Sequence, residues 1–322
     1  MANIRDIAKM AGVSVTTVSR VINNHPYVTE EKREAVQEAM NSVDYQVNRT
    51  AVNLSQGSSK LIGVVVPFAK HPYFGLLIEG ITDQAAEHQY HVLLIQTKYN
   101  LDREQEALDM LKHKQIDGLI ICSHQIELSV IESYSRYGKI VVCENAADNQ
   151  NVASVFVDHY QSFNNALNYL HQKNYKRIGY CIGRNSGSNS YFRHKAYQDF
   201  LGQHPQQSFI FDNNYYFEDG QTIVEQISHL KSKPDALLVT SDVVAAGILT
   251  ACNHAGTKVP DDLAIIGFDN QPIAKMMGIT TFEIPHTTMG VKLFQQVSNQ
   301  SSAVQHEQLP ITLIERNTVG KR

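Results

Sequence analysis

Side chains that could bind DNA bases occur at helical spacing near the start of the chain. A helix predicted from residue 15 presents hydroxyl, amide and guanidinium groups on its polar side: Thr16, Thr17, Ser19, Arg20 and Asn23. Arg20 could donate two hydrogen bonds to guanine, Asn23 could reach bases or phosphates, and the threonine methyls could touch thymine. Val15 is also a candidate DNA contact, although the apolar period places it with Val18 and Ile22 on the buried side.

A small helical domain must position this helix. A preceding helix carries one apolar face: Ile4, Ile7, Ala8 and Ala11. Gly12 then breaks the pattern and Ser14 is a suitable N-cap, so the pair predicts a helix-turn-helix whose second helix enters a major groove. An ordinary helical hairpin has the same spacing, so spacing alone leaves both possibilities open. Thr29 would cap a third helix with a buried stripe, completing a domain over residues 1–46: Ala35, Val36, Ala39, Met40 and Val43.

Residues 47–60 follow as a connecting segment. Its Gly57-Ser58-Ser59 end is typical of a flexible linker. Val52 and Leu54, however, would be needlessly apolar in a linker, which favours a short helix that is too short to be stable alone.

Composition limits the classes of protein that fit. The 322 residues are 43% apolar with a formal net charge of −4, so a DNA-binding role rests on the motif and not on bulk charge. Modest phosphate affinity per subunit favours a dimer on two half-sites.

The cysteines lie inside separate apolar runs, without metal-ligand spacing, and predict buried free thiols: Cys122, Cys143, Cys181 and Cys252. No signal peptide or membrane-spanning run is apparent, so we expect a cytoplasmic protein without a membrane partner.

From Leu61 short apolar runs alternate with amphipathic helices in two successive series. Such runs predict parallel strands covered on both faces, and two doubly wound α/β lobes predict a ligand cleft at the carboxyl ends of the strands. Phosphate-loop, nucleophile-elbow and zinc-protease motifs are missing from the sequence. We therefore expect no catalytic residues, no metal and no cofactor, which argues against an enzyme.

The stretch IRDIAKMAGVSVTTVSRVIN closely resembles the headpiece of the LacI/GalR family of bacterial transcription regulators. Similar stretches continue through HPYF, IDGLIIC, KNYKRIGYCIG, DALLVTSDVVAAGILTA and VPDDLAIIGFDN, and NNHPYVTEEKR is like the catabolite-control branch of Gram-positive bacteria. The resemblance implies a periplasmic-binding-protein (type I) fold over residues 61–322. It implies one lobe of about 61–156 plus 283–309 and another of about 157–282 plus 310–322. The chain would cross between lobes near residues 156–158, 281–284 and 309–312.

The resemblance also assigns the connecting segment to a hinge helix that pairs with its dimer mate in the minor groove. Leu54 lies where the family has the leucine that wedges between base pairs, and Asn48 and Arg49 match its Asn-Arg pair. Val47 stands where the family usually has proline, so the start of the hinge is less restricted in φ.

Six cleft residues follow from the same resemblance: Tyr73, Phe74, Arg193, Ser241, Asp242 and Asp269. Arg193 matches an arginine that clamps sugar hydroxyls or phosphates, and Asp269 matches an aspartate that accepts from a ligand hydroxyl. Without the resemblance, a surface salt bridge for Arg193 and a helix cap for Asp269 would be the simpler interpretations. Ser241 replaces the family's usual asparagine, which leaves the effector's identity open.

Together these features predict a homodimeric, sequence-specific repressor of carbohydrate genes that binds a pseudo-palindromic double-stranded operator. A sugar or phosphosugar effector between the lobes would control it, and a phosphorylated phosphocarrier protein is a further candidate partner. The alternative is a sugar-binding protein of the transport type without a DNA role, which would require export.

Overall fold

The computed structural model describes residues 2–46, 57–299, 301 and 303–321. It divides into two compact units, Met1–Ser59 and Lys60–Arg322. The larger unit is a mixed α/β structure with two parallel-sheet lobes, as the sequence predicts.

The first unit contains three helices, α1 (Ile4–Met10), α2 (Val15–Ile22) and α3 (Glu30–Ser42). At the start of α1, the Asn3 side chain accepts from two backbone amides and the Asp6 carboxylate accepts from the Asn3 amide, which is a capping box. Ser14 Oγ accepts from the Thr17 amide at 3.1 Å, so the predicted N-cap of α2 is confirmed.

Six buried apolar side chains from all three helices form the core of this unit: Ile7, Ala8, Val18, Val21, Val36 and Ala39.

Three expectations about this unit were wrong. Val15 is 41% exposed because it begins α2, before the helix reaches the core, and Val43 is 39% exposed at the C-terminal end of α3. Thr29 precedes α3 but makes no side-chain capping hydrogen bond.

Lobe one is built on a parallel sheet in the order β11-β5-β4-β3-β1-β2. Its strands are β1 (Leu61–Val66), β2 (His91–Gln96), β3 (Gly118–Ile121), β4 (Lys139–Val142), β5 (Ala153–Val157) and β11 (His306–Leu309). One face packs against α4 (Pro72–Glu87) and α12 (His286–Ser298), and the other packs against α5 (Leu101–Lys112) and α6 (Leu128–Ser133). Coverage of both faces explains why β1 and β3 are almost continuously apolar.

Lobe two has a sheet in the order β12-β10-β9-β8-β6-β7, parallel except for the β10–β12 pair. Its strands are β6 (Ile178–Cys181), β7 (Ile210–Phe211), β8 (Ala236–Val239), β9 (Ala264–Asp269), β10 (Thr280–Glu283) and β12 (Thr312–Ile314). One face packs against α7 (His159–Gln172) and α8 (Ser188–Gln203). The other packs against α9 (Asp219–Ser228), α10 (Asp242–Ala255) and α11 (Pro272–Met276).

The chain passes between the lobes three times. β5 belongs to the lobe-one sheet, whereas α7 begins two residues later and packs in lobe two. The return passage follows Glu283, where β10 ends, and leads into α12 of lobe one. The last passage separates β11 from β12. Each lobe is therefore discontinuous in sequence.

A pair of glycines lets two lobe-one helices approach closely. A Cβ at Gly80 of α4 would lie 2.1 Å from the Thr287 carbonyl oxygen of α12, and a Cβ at Gly290 would lie 2.2 Å from the Leu77 carbonyl oxygen. Because backbone atoms occupy both positions, only glycine permits this crossing. It fixes the N-terminal ends of α4 and α12 beside the cleft.

Candidate effector cleft and DNA-binding helix

A cleft lies between the lobes, where the carboxyl ends of the strands of both sheets meet. It encloses about 950 Å³ of empty space, part of which is open to solvent. Of the six residues that the sequence assigned to a ligand site, five line this cleft: Tyr73, Phe74, Arg193, Ser241 and Asp269. A doubly wound fold commonly binds its ligand at this position.

Arg193 projects into the cleft from α8. Its Nη2 donates to Nδ1 of His159 at 3.1 Å. Burial, together with the charge of Arg193, holds the pKa of His159 well below 6.5, so the imidazole is neutral and its Nδ1 can accept. Nε of Arg193 is buried and has no hydrogen-bond partner among the residues that the structure describes. A ligand oxygen would provide that partner.

Asp269 ends β9 and is buried, with a φ of +107° that is unfavourable for a residue with a side chain. Its Oδ2 accepts from Gln271 Nε2 at 2.9 Å, and its Oδ1 lies 3.5 Å from His286 Nε2 of lobe one. Ser241, which precedes α10, adds a buried Oγ for which the described part of the chain offers no partner. The lobe-two wall thus presents a guanidinium, a carboxylate and a hydroxyl.

Asp242 does not line the cleft, in contrast to the expectation from the sequence. Its side chain is buried with 0% exposure, one oxygen accepting from Thr281 Oγ1 at 2.6 Å and the other from the Gln271 amide at 2.8 Å. Burial and the nearby charge of Asp269 raise the pKa of Asp242 to about 8. Asp242 therefore bonds to the segment after Asp269 and does not reach the cleft surface.

The lobe-one wall is aromatic. Tyr73 and Phe74 contact each other edge to face, with ring centroids 4.9 Å apart, and Tyr73 packs in the same manner on His286. His71 accepts from the Tyr73 amide at 3.3 Å and so caps α4. These contacts fix two rings at the surface on which a sugar ring could stack.

Sequence reasoning missed several cleft residues that follow other strands: Tyr99, Ser123, His124, Glu144, Arg184, Asn214 and Tyr215. His124 is held between the Ile126 carbonyl oxygen at 2.6 Å and Glu144 Oε1 at 2.8 Å. Burial acts to lower the pKa of His124, but the hydrogen bond to Glu144 and its charge outweigh this, so the pKa is raised. All the missed cleft residues follow the ends of strands, and this position was the one signal in the sequence that they line a cleft.

The polar side of α2 is available to solvent at several positions. Arg20 is exposed, and within residues 2–46 its guanidinium makes no hydrogen bond or ion pair. Thr16 is also exposed, whereas Thr17 Oγ1 shares a hydrogen bond with Ser14. Asn23 is exposed, and its Nδ2 donates back to the Ser19 carbonyl oxygen at 2.9 Å.

The turn after α2 is fixed from α3. Arg33 donates to Asn24 Oδ1 at 3.0 Å and to the His25 carbonyl oxygen at 3.3 Å. The hinge assignments Asn48, Arg49 and Leu54 lie outside the residues that the structure describes.

Neither a metal centre nor a membrane span is found in the part of the chain that the structure describes. No group of three or more metal-ligating side chains is present there. The helices there are also too short or too polar to cross a bilayer.

A helix-turn-helix unit and a two-lobed unit with a polar, aromatic-walled cleft define the class of ligand-responsive DNA-binding regulators. Comparison with known families gives the same result. Residues 3–48 match the model of bacterial regulatory proteins of the lacI family, and residues 59–317 match the model of periplasmic binding proteins and the sugar-binding domain of the LacI family. The chain belongs to the LacI family of transcriptional regulators.

Individual relatives cover almost the whole chain. An uncharacterized HTH-type transcriptional regulator of Bacillus subtilis, YkvZ, is 42% identical over 99% of this chain and 100% of its own length. Catabolite control protein B of the same species is 34% identical over 95% of this chain and 98% of its own, in agreement with the predicted branch. A LacI family regulator of Lactobacillus casei with bound glucose is 27% identical, with a TM-score of 0.71 over 80% of this chain and 99% of its own.

Proposed function

We propose that this regulator represses carbohydrate-utilisation genes by binding a pseudo-palindromic operator as a homodimer, under the control of a sugar-like effector in the cleft. The observation that carries the proposal is the pair of buried polar atoms Arg193 Nε and Ser241 Oγ. Both lie on the cleft wall without a partner in the described structure. Leaving buried polar atoms unpaired costs about 1–3 kcal/mol each, which a ligand rich in hydroxyl groups would recover.

The lining favours a sugar over an apolar effector. Asp269 accepts from hydroxyl groups, Arg193 donates to hydroxyl or phosphate oxygens, and Tyr73 offers a ring face. The Lactobacillus casei relative holds glucose, which supports the same class of ligand here. Both a neutral sugar and a phosphosugar fit this combination of groups.

The DNA-binding role rests on α2. Its exposed Arg20 provides bidentate recognition of guanine, and Thr16 lies near the N-terminal end of the same helix, from which recognition helices contact bases. Asn48, Arg49 and Leu54 are proposed to add minor-groove contacts at the operator centre.

The proposal of a homodimer is supported by an apolar sheet edge. β2 is the edge strand of the lobe-one sheet, and Leu94 on this strand is 42% exposed. A second copy that covers this edge would protect it from unspecific pairing. Binding of a phosphorylated phosphocarrier protein stays a prediction, to be tested by co-sedimentation of the two purified proteins with and without phosphorylation.

Selection of bound fragments from genomic DNA tests the function directly. The full chain should retain a small set of related palindromes upstream of carbohydrate genes, and a panel of neutral sugars and phosphosugars should change that retention. Failure to enrich any sequence at low salt would contradict the proposal for DNA. Enrichment that no sugar or phosphosugar alters would contradict only the proposal for the effector.

A further inference from the structure

A single arginine joins the two lobes across the mouth of the cleft. Arg184 follows β6 in lobe two, and its Nη1 donates to Gln125 Oε1 of lobe one at 3.2 Å. Its guanidinium carbon also lies 4.2 Å from the ring centroid of Tyr99, which follows β2 in lobe one. Arg184 therefore makes a hydrogen bond and a cation–π contact to the opposite lobe.

The loop that carries Arg184 is shaped to hold it there. Gly187 has a φ of +89°, and a Cβ at this position would lie 2.2 Å from Nη2 of Arg184. A Cβ at Gly183 would lie 2.8 Å from the Tyr215 ring. Ser190 at the start of α8 donates to the Arg184 carbonyl oxygen at 2.8 Å. The two glycines make room for the guanidinium and for the neighbouring ring, and the serine fixes the backbone.

The backbone of the loop that carries the acceptor on lobe one is also held firmly. The buried carboxylate of Glu104 accepts from the backbone amides of Gln125 and Ile126, each at 2.8 Å. His124 in the same loop is clamped by Glu144 and by the Ile126 carbonyl oxygen. Because this backbone is fixed to lobe one, opening of the cleft would carry Gln125 and Tyr99 away from Arg184 and would oppose its contacts.

Further contacts connect the lobes at the same mouth. The rings of Phe68 and Tyr215 meet edge to face at 5.5 Å, and Lys70 Nζ lies 4.0 Å above the Tyr216 ring. These contacts use apolar faces and a flexible lysine. Arg184 combines a directed hydrogen bond with a cation–π contact, both to the opposite lobe.

We propose that Arg184 is the positioning residue that holds the effector cleft closed, through Gln125 and Tyr99. The inference rests on the proposed function in one respect, namely that this cleft is the effector site. All contacts of Arg184 form between protein groups, so they favour the closed arrangement before an effector binds. An effector must then enter during transient opening, and weakening these contacts should accelerate both its entry and its release.

Measurement of the distance between the lobes in the full chain tests this without any effector. Spin labels on Glu127→Cys and Asn213→Cys report opening by pulsed electron resonance, because these exposed positions follow β3 of lobe one and β7 of lobe two. Labelled protein is diluted with unlabelled protein to remove signals between protomers. The parent without added cysteines is treated with the same label and controls for background labelling, because its own four cysteines are buried.

Arg184→Gln removes the cation and shortens the side chain, so it should lose both contacts, whereas Arg184→Lys keeps a cation without the guanidinium. Arg177→Gln is the matched control, because Arg177 bonds to Lys233 within its own lobe. We expect Arg184→Gln to shift the distribution to longer distances, Arg184→Lys to restore it in part, and Arg177→Gln to leave it unchanged.

The same distribution in the parent and in Arg184→Gln would overturn the proposal, as would an equal shift in Arg177→Gln. Thermal unfolding of each variant shows that it is folded. Because no effector is present, an error in the effector assignment would not change any of these outcomes.

Discussion

Arg193 and Asp242 show how differently two buried ionisable residues can be used beside one cleft. Arg193 keeps a buried Nε without a partner in the described structure, whereas both oxygens of Asp242 accept hydrogen bonds from lobe two. A polar atom that the protein leaves unpaired is available to a ligand, and one that is fully paired is structural. Arg193 is therefore the better candidate for effector binding.

The His124–Glu144 pair gives a prediction for pH. The pKa of His124 is raised in the folded protein, so the pair contributes its full stability below about pH 6.5, the ordinary value of histidine. This contribution is lost as the pH rises through the raised pKa. The difference in melting temperature between the parent and His124→Gln should thus be largest at acidic pH and shrink towards pH 8. His113→Gln, at an exposed position, controls for loss of a histidine. A constant difference across the range would contradict this assignment.

Arg20→Ala should relax operator preference. A bidentate contact to guanine discriminates by about 1–3 kcal/mol, so the ratio of operator to random-DNA affinity should fall by about 5–150-fold. Lys9→Ala on α1 removes the same charge from a different helix and should leave this ratio nearly unchanged. Competition binding at fixed salt measures both ratios, and equal losses in the two variants would argue against α2 as the reading helix.

Single residues also show what the sequence could predict. The resemblance led to five cleft residues, because a motif fixes a position in a known fold. It misassigned Asp242, since adjacent residues at the start of α10 point to different surroundings: Ser241 faces the cleft and Asp242 faces Thr281. Arg184, His124 and Glu144 escaped detection because only the tertiary fold brings these separate loops together.

The glycine pair between α4 and α12 explains how lobe one is held together beside the cleft. Gly80 and Gly290 each face backbone atoms of the other helix. The apolar runs predicted strands well, because both faces of each sheet are covered. The same runs contained no signal for this close crossing, which depends on two residues more than two hundred positions apart.

Gly80→Ala should destabilise the protein by about 1–3 kcal/mol or more, since its Cβ would overlap the Thr287 carbonyl oxygen at 2.1 Å. Gly75→Ala in the same helix is the matched control. A Cβ there meets nothing within 4 Å, so the better helix propensity of alanine should stabilise the protein by about 1 kcal/mol. Urea unfolding measures the free energy of unfolding of both variants and shows whether each substitution stabilises or destabilises the protein. Equal changes in the two variants would contradict the proposed close packing.

For the whole molecule, the three passages between lobes mean that neither lobe can move without changing the segments at their boundary. Asp269 of lobe two lies 3.5 Å from His286 at the start of α12 in lobe one, so the boundary and the effector site share residues. An effector that bonds to Asp269 would thus act on the contact that relates the lobes. The family resemblance predicted this two-lobed architecture, whereas the contacts across the boundary could be identified only from the structure.

Assembly is tested at Leu94. Leu94→Glu places a charge on the exposed edge strand and should convert the proposed dimer to monomers, with loss of tight operator binding. Leu101→Glu, at a 53% exposed position on α5 of the same lobe, is the control and should remain dimeric. Sedimentation equilibrium distinguishes these results, and an unchanged dimer in Leu94→Glu would place the interface elsewhere.

Occupancy of the cleft is proposed to control affinity for the operator. Its most direct test measures operator affinity of the parent and of Arg193→Ala, each with and without every member of a panel of neutral sugars and phosphosugars. We predict that at least one compound changes operator affinity of the parent by about 5–150-fold, the usual range of coupling between two sites. Arg193→Ala should bind the operator equally well without any compound and should lose that change. A variant that responds as strongly as the parent would contradict the account.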